Sequence, residues 1–330
     1  AGGATWLGTA VLAEALALRQ AGVSGRVLAW LACPGEDFAA ALDADIDVAA
    51  YSTWQLDEIA EAARETGQPA RVHLKADTGL GRGGVMPADW VGALEHAAAL
   101  EGEGVLRVVG LWTHFAYADA PGHPTIAAQL QTFTEAVALA EMAGLEPEVR
   151  HVANSAATLT LPAAHLDLVR PGLAVYGLSP IPQVATSAEL GLRPAMRLSA
   201  NVALVKDAPA GQGVSYGHTY TTSTDTRLAL VPLGYADGVP RHASGTGPVR
   251  VAGRTFRVAG RVCMDQVVLD VGETDVAPGE EAVLFSDGSG GEPTAQDWAE
   301  AAGTISYEIV TRVSNRLRRR YVGLDEAGGA

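Results

Sequence analysis

The sequence predicts an α/β protein: a (β/α)8 TIM-type barrel missing its first βα unit, followed by a C-terminal mostly-β domain. Three observations predict it. Over the first 180 residues, short β-branched runs alternate with Ala/Leu/Glu-rich stretches of helical period, the pattern of a parallel sheet with helices outside. Ionisable residues recur at the ends of those runs, where a barrel carries its function. Beyond about residue 192, strand-like runs follow one another closely, separated by Gly, Pro and Asp, which indicates a β-rich domain.

In chain order, candidate strands lie at 5–9, 26–30, 45–49, 71–76, 108–114, 149–153 and 168–172. Helical patterns fall between them at 9–21, 53–66, 87–100 and 125–143, each with apolar residues at helical spacing. The gaps are too long for hairpins. Seven strands are one short of a closed barrel, and the chain starts without Met, almost at once in a strand. The first βα unit is therefore expected to be missing. An open doubly wound sheet is the alternative, but no glycine fingerprint follows a first strand. Further strands are expected at 198–206, 227–232, 249–251, 255–259, 266–271 and 281–285, with one short helix at 294–302. The expected domains are 1–191 and 192–330, joined through the Pro/Ser/Gln stretch 179–187, with a frayed tail at 324–330. Residues 316–320 read as a solvated arginine-rich edge.

Composition narrows the function. Hydrophobic residues make up 48% and charged residues 18% of the 330, enough apolar material for a core. A net charge of −15 argues against a nucleic-acid partner, which calls for a basic surface. No run of about 18 apolar residues suggests a membrane span. Cys33 and Cys263 are too few for a disulfide framework, which points to a cytoplasmic protein. No Asp/Glu/His cluster has metal-ligand spacing, so no metal is expected, and no G-x-S-x-G elbow occurs.

The candidate site residues sit at strand ends. The fourth strand closes in Lys75-Ala76-Asp77-Thr78-Gly79-Leu80-Gly81-Arg82, the fifth in Trp112-Thr113-His114, the sixth in His151-Val152-Ala153-Asn154-Ser155 and the seventh in Arg170-Pro171-Gly172. One such end is ordinary; four describe a polar mouth rich in cations and hydrogen-bonding groups. Asn154-Ser155 is good N-cap chemistry, and Gly172-Leu173 offers backbone amides, so a phosphate fits there as well as a plain cap does.

The segments HLKADTGLGRGGV, GLWTHFAYAD, HVANSAATL, LDLVRPGLAVYGLSP, GVSYGHTY, LVPLGYADGVPR, GRVCMDQ and ISYEIVTRVSNRLRRRY carry a resemblance to the alanine racemases, barrel-type (fold III) enzymes that use pyridoxal 5'-phosphate. It runs from near residue 1 to near residue 322. It implies an isomerase that interconverts L-alanine and D-alanine by a two-base mechanism, supplying D-alanine for peptidoglycan. Carried over residue by residue, it puts Arg170 against the pyridine nitrogen, with His151 behind it. Ser155, Gly172, Leu173 and Tyr307 would hold the phosphate, and His114 and Asn154 would line the site. Arg82 and the Met264 amide would bind the substrate carboxylate, with Asp265 and Tyr235 beside them. Tyr216 would be the base for the L-isomer. Lys75 matches the position that many members carbamylate. Tyr216, Tyr235, Met264 and Asp265 would reach the partner subunit's barrel, so a homodimer is implied.

One departure matters. The family's cofactor lysine lies in a V-K-x-N-A-Y-G-H-G segment on the first strand, and no such segment occurs here. The chain taken literally is expected to be inactive by itself and poorly stable, and the natural protein to be longer by about 50 residues, one βα unit and a leader on the usual barrel size. Two other readings are a non-catalytic binder of pyridoxal phosphate or cycloserine and another fold III racemase or decarboxylase. The presence of Tyr216, Arg82 and Met264 argues against the binder, and the segments around Arg170, Tyr216 and Cys263-Met264-Asp265-Gln266 argue against the other enzymes.

Overall fold

The computed structural model describes residues 3–322; the tail 324–330, expected to fray, lies outside them. The chain forms two compact units, Ala1–Gly172 and Leu173–Ala330.

In the first unit the order is β1 (Trp6–Val11), α1 (Leu12–Gln20), β2 (Arg26–Leu31), α2 (Phe38–Asp43), β3 (Asp47–Ala50), α3 (Thr53–Thr66), β4 (Ala70–Lys75), α4 (Pro87–Gly102), β5 (Leu106–Trp112), α5 (Pro124–Met142), β6 (Val149–His151) and α6 (Ser155–Thr160). The six strands pair in parallel, in sequential order, as a half-barrel. Val72, Leu74, Val108, Val109 and Leu111 on the central strands are all buried, as expected of parallel strands covered on both faces. Each helix covers the sheet with one stripe: α3 buries Leu56, Ile59, Ala60 and Ala63, and α4 buries Trp90, Ala93, Leu94 and Ala97. The Trp90 indole N–H donates to the Ala136 carbonyl on α5 at 2.9 Å, so this bulky side chain buries no unmade bond.

The expected seventh strand, 168–172, is corrected to a single parallel bridge between Asn154 and Arg170. The Arg170 N–H donates to the Ala153 carbonyl at 2.8 Å, but the next residue is Pro171, which has no N–H to continue a ladder. The sequence also gave no sign of α2. It is six residues long and held by Asp37, whose side chain accepts from the Ala40 N–H.

The second unit contains β7 (Leu198–Asn201), β8 (Leu204–Ala208), β9 (Gly213–Val214), β10 (Tyr220–Thr221), β11 (Thr226–Val231), β12 (Pro248–Val251), β13 (Arg254–Arg257), β14 (Val267–Asp270), β15 (Glu281–Phe285), α7 (Ala295–Ala302) and α8 (Ser306–Thr311). All its strand pairs are antiparallel: a four-stranded sheet β13-β12-β15-β7, a three-stranded sheet β14-β11-β8 and the small pair β10-β9. The run expected as one strand at 198–206 is two strands. At Val202 the N–H turns to the Glu280 carbonyl, and at Ala203 to Leu230, so the chain leaves one sheet for the other. Val249, Val251, Val267, Leu269, Leu284 and Trp298 form the heart of the core. A capping box between Thr294 and Asp297 starts α7. The second helix, α8, was not foreseen.

Candidate active site

Parallel strands deliver their C-terminal ends to one edge of the first unit. Lys75 ends β4 and pairs in register with Trp112, which ends β5. The Lys75 ammonium lies 4.6 Å from the Trp112 ring centre, and Arg170 lies 5.1 Å from it. Burial pulls the Lys75 amine down to about 8, with Arg82 and Arg170 adding to the effect and Asp77 opposing it. His114 follows β5. Burial, then Arg170, Arg82 and Lys75, push its imidazole down to about 4, so it is neutral at pH 7.

The loop after β4 is wound around Asp77. One carboxylate oxygen accepts the N–H groups of Gly79, Leu80 and Gly81 at 2.9, 3.0 and 3.1 Å. The other accepts from the Arg82 N–H at 3.2 Å. These bonds outweigh burial and hold the carboxyl below its usual range. They also fix where Arg82 leaves the loop. Gln129, buried on α5, ties this loop to the next: its amide N–H donates to the Thr78 hydroxyl and the His114 carbonyl, and its amide oxygen accepts from the Ala116 N–H. The Thr78 hydroxyl is 2.8 Å from that of Thr113.

Arg170 is threaded among acceptors. Nη2 donates to the Thr113 carbonyl at 2.8 Å and the Val152 carbonyl at 3.3 Å, and lies 3.4 Å from His114 Nδ1. Nη1 is 2.9 Å from His151 Nδ1. Behind His151 the row continues: His151 Nε2 is 2.9 Å from His73 Nδ1, and His73 Nε2 is 3.4 Å from Asp47 Oδ2. Arg26 and Arg71 close on Asp47 from either side at 2.6 and 2.5 Å. Trp112 stacks on His151 with ring centres 5.6 Å apart. Gly110 makes room for His73: a Cβ there would stand 2.1 Å from the imidazole. Asn154 caps α6 by accepting the Ala157 N–H at 3.1 Å, and the Ser155 hydroxyl accepts the Gly172 N–H at 2.9 Å. A side chain at Gly172 would meet nothing within 4 Å.

Leu173 opens the second unit and is buried in its core. There, Tyr216, Tyr235, Met264 and Asp265 gather around one turn. Ser215, Tyr216, Cys263, Met264, Asp265 and Gln266 line an open cleft of about 490 Å³. Tyr216 follows a strained residue: Ser215 has φ 61 and ψ −174, a region close to glycine-only. The Ser215 hydroxyl, donating to the Arg261 carbonyl at 2.7 Å, helps hold that conformation. The Tyr235 N–H donates to the Cys263 carbonyl and the Ala236 N–H to Met264. The two loops touch so closely that a Cβ on Gly234 would lie 2.3 Å from the Met264 carbonyl oxygen. Tyr216 is 70% exposed, Met264 52% and Tyr235 40%, which leaves an apolar, aromatic surface on this unit. Tyr307 stands on α8, whose following segment is tied to the Tyr235 loop by the Ser314 N–H donating to the Asp237 carbonyl.

Several of these residues were not singled out from the sequence. His73 precedes Lys75 by two in the same strand, so both face one side, and that spacing was the available signal. Asp47 read as part of an ordinary strand, and Gln129 as one polar residue of a helix. Arg316 is exposed, as expected of a solvated edge, and also bonds Asp265 at 2.8 Å and approaches the buried Asp237 at 3.6 Å.

Comparison with known proteins gives a consistent picture. The family described as "Alanine racemase, N-terminal domain" matches residues 1–180, and "Alanine racemase, C-terminal domain" matches residues 195–321. A protein of Frankia casuarinae named "Alanine racemase" is 62% identical over 321 residues, covering 97% of this chain and 84% of its own length. The solved alanine racemase of the D-cycloserine producer Streptomyces lavendulae superposes with a TM-score of 0.96 at 58% identity, over 97% of this chain and 84% of that one. The Bacillus anthracis enzyme, solved with bound L-Ala-P, gives 0.86 at 34% identity over 96% and 80%. The chain belongs to the alanine racemase family.

Proposed function

We propose that the protein is a pyridoxal 5'-phosphate-dependent isomerase that interconverts L-alanine and D-alanine. The observation that carries this reading is the donor-rich edge of the first unit. Lys75, Arg82, His114 and Arg170 converge there, and the nearby carboxylate, Asp77, is spent on its own loop. Such a donor set suits a phosphorylated, carboxylate-bearing ligand. The open space at Gly172, beside the Ser155 hydroxyl, leaves room for a phosphate.

On this reading Ser155, Gly172, Leu173 and Tyr307 hold the phosphate, and His114 and Asn154 line the ring. Pyridoxal phosphate, when bound, withdraws electrons from an amino acid and acidifies its α-proton. Arg170, a group that only donates, would face the ring nitrogen and hold it unprotonated, which would moderate the electron withdrawal and favour return of the proton over side reactions. Arg82 and the Met264 amide orient the substrate carboxylate. Tyr216 takes or returns the α-proton on one face, Asp265 stands beside the substrate, and Tyr235 and Tyr307 narrow the entrance to a small side chain. The exposed surface of Tyr216, Tyr235 and Met264 supports a homodimer in which these residues enter the partner's barrel. Lys75, with its amine drawn down to about 8, has the neutral fraction that a carbamate at this position requires. Lys206 is exposed on β8; neither lysine is proposed as the cofactor's anchor. Two free cysteines favour a cytoplasmic setting, and among the described residues no helix is long and apolar enough to cross a membrane.

The test is incubation of the natural full-length protein with pyridoxal phosphate and L-alanine, with D-alanine read by a D-amino-acid oxidase couple. Equal approach to a racemic mixture from either isomer is expected. Carbon dioxide release from an amino acid, or cofactor binding without turnover of alanine, overturns the reading.

A further inference from the structure

The row of groups behind Arg170 has a direction. A guanidinium N–H can only donate, so His151 Nδ1, 2.9 Å from Arg170 Nη1, must be bare. Burial, then Arg170 and His73, hold the His151 imidazole well below its ordinary range, so the ring is neutral. Its one proton therefore sits on Nε2, aimed at His73 Nδ1 2.9 Å away. Burial also holds His73 neutral against the pull of Asp47. Its proton then sits on Nε2, facing the Asp47 carboxylate at 3.4 Å.

Asp47 is fully buried and stays ionised: burial raises its carboxyl, but His73, Arg26 and Arg71 outweigh that and hold it low. Every hydrogen bond in the row thus points from Arg170 towards Asp47. The row crosses the sheet from the edge carrying the candidate site to the first residue of β3 at the other edge. Arg170 makes no ion pair of its own among the described residues, and burial works against its charge.

We propose that Asp47, His73 and His151 are positioning residues that form a one-way hydrogen-bond relay, by which the Asp47 carboxylate fixes the orientation of the Arg170 guanidinium. The consequence for catalysis rests on the reading in which Arg170 faces the cofactor's ring nitrogen. Without a fixed acceptor on His151 the guanidinium can turn towards its other acceptors. Head-to-tail N–H dipoles also strengthen one another in a low-dielectric interior, so the relay acts as a unit. A packing role alone would require the rings but not one tautomer.

The experiment is nitrogen-15 NMR of the histidine rings in the full-length protein, with racemisation kinetics of the wild type, Asp47→Asn and His73→Leu. In the wild type both rings are expected neutral, with the proton on Nε2. In D47N a population of His73 with its proton on Nδ1 appears. In both variants kcat falls about tenfold or more, the cost of a lost hydrogen bond to a charged group, while KM for alanine stays within about twofold. His73→Leu leaves the Arg26–Asp47–Arg71 pairs in place and carries the kinetic half if D47N fails to fold. A wild-type His73 protonated on Nδ1, or variants with unchanged kcat, overturn the relay. A protein that shows the expected tautomers but does not racemise alanine overturns the proposed function and leaves the relay standing.

Discussion

Lys75 shows how one buried group sets a pH dependence. Its amine titrates near 8 in the folded protein, against 10.5 in the ordinary case. Below pH 8 both folded and unfolded chains hold the proton, and the folded state bears the full penalty of a buried charge. Between 8 and 10.5 the unfolded chain keeps a proton that the folded one has shed, so stability rises with pH. In carbon-dioxide-free buffer, urea midpoints followed from pH 7.5 to 10 are expected to rise for the wild type relative to Lys75→Met, which has nothing to titrate. The expected difference over the full window is on the order of 3 kcal/mol. Parallel curves would remove the buried charge as its source. The neighbouring His114 acts in the same sense in a lower window: with its imidazole drawn down to about 4 from 6.5, its contribution rises with pH between those values and is flat above pH 7.

Among the elements, α5 has a task beyond covering the sheet. Gln129 is buried and holds three groups of the loops after β4 and β5 through one amide. Gln129→Ala would leave those partners unmade, at a cost of about 1–3 kcal/mol for each buried group. Amide exchange in residues 77–82 and 114–118 is expected to speed up at least tenfold while β4 and β5 stay protected; equal protection in both proteins would contradict the tie. This tie could not be read from sequence, because a lone glutamine in an amphipathic helix carries no signature of what it meets. Where local chemistry decides, the sequence was legible. Helix α3 has the expected bounds, and ends where Gly67 takes the left-handed conformation and donates its N–H to the Ala63 carbonyl; the ionisable strand ends do meet at one edge. Where a distant partner decides, it was not: the strand at 168–172 failed at Pro171, and 198–206 split because its two halves serve different sheets. His73 and Asp47 had the residue types of a relay, but their alignment depends on three strands and on the space at Gly110.

For the molecule as a whole, the proposed sharing of sites between subunits has an arithmetic consequence. An inactive variant in the first unit, Arg82→Ala, and one in the second, Tyr216→Phe, can be mixed by reversible dissociation. Half of the randomly reassorted dimers are hybrids, and each carries one intact site of two, so about a quarter of wild-type activity is expected to return. No recovery in a mixture shown to have exchanged subunits would place each site within one chain. The chain's cationic make-up has another effect, which concerns reagents rather than substrates. All but two of its 23 basic residues are arginine. Acylating agents therefore meet one exposed side-chain amine, Lys206, while Lys75 lies shut between Trp112 and the loop that Asp77 winds. Arginine ignores such agents, so along these 330 residues a second acylated lysine registers the opening of that strand end, with almost no background from the surface they form.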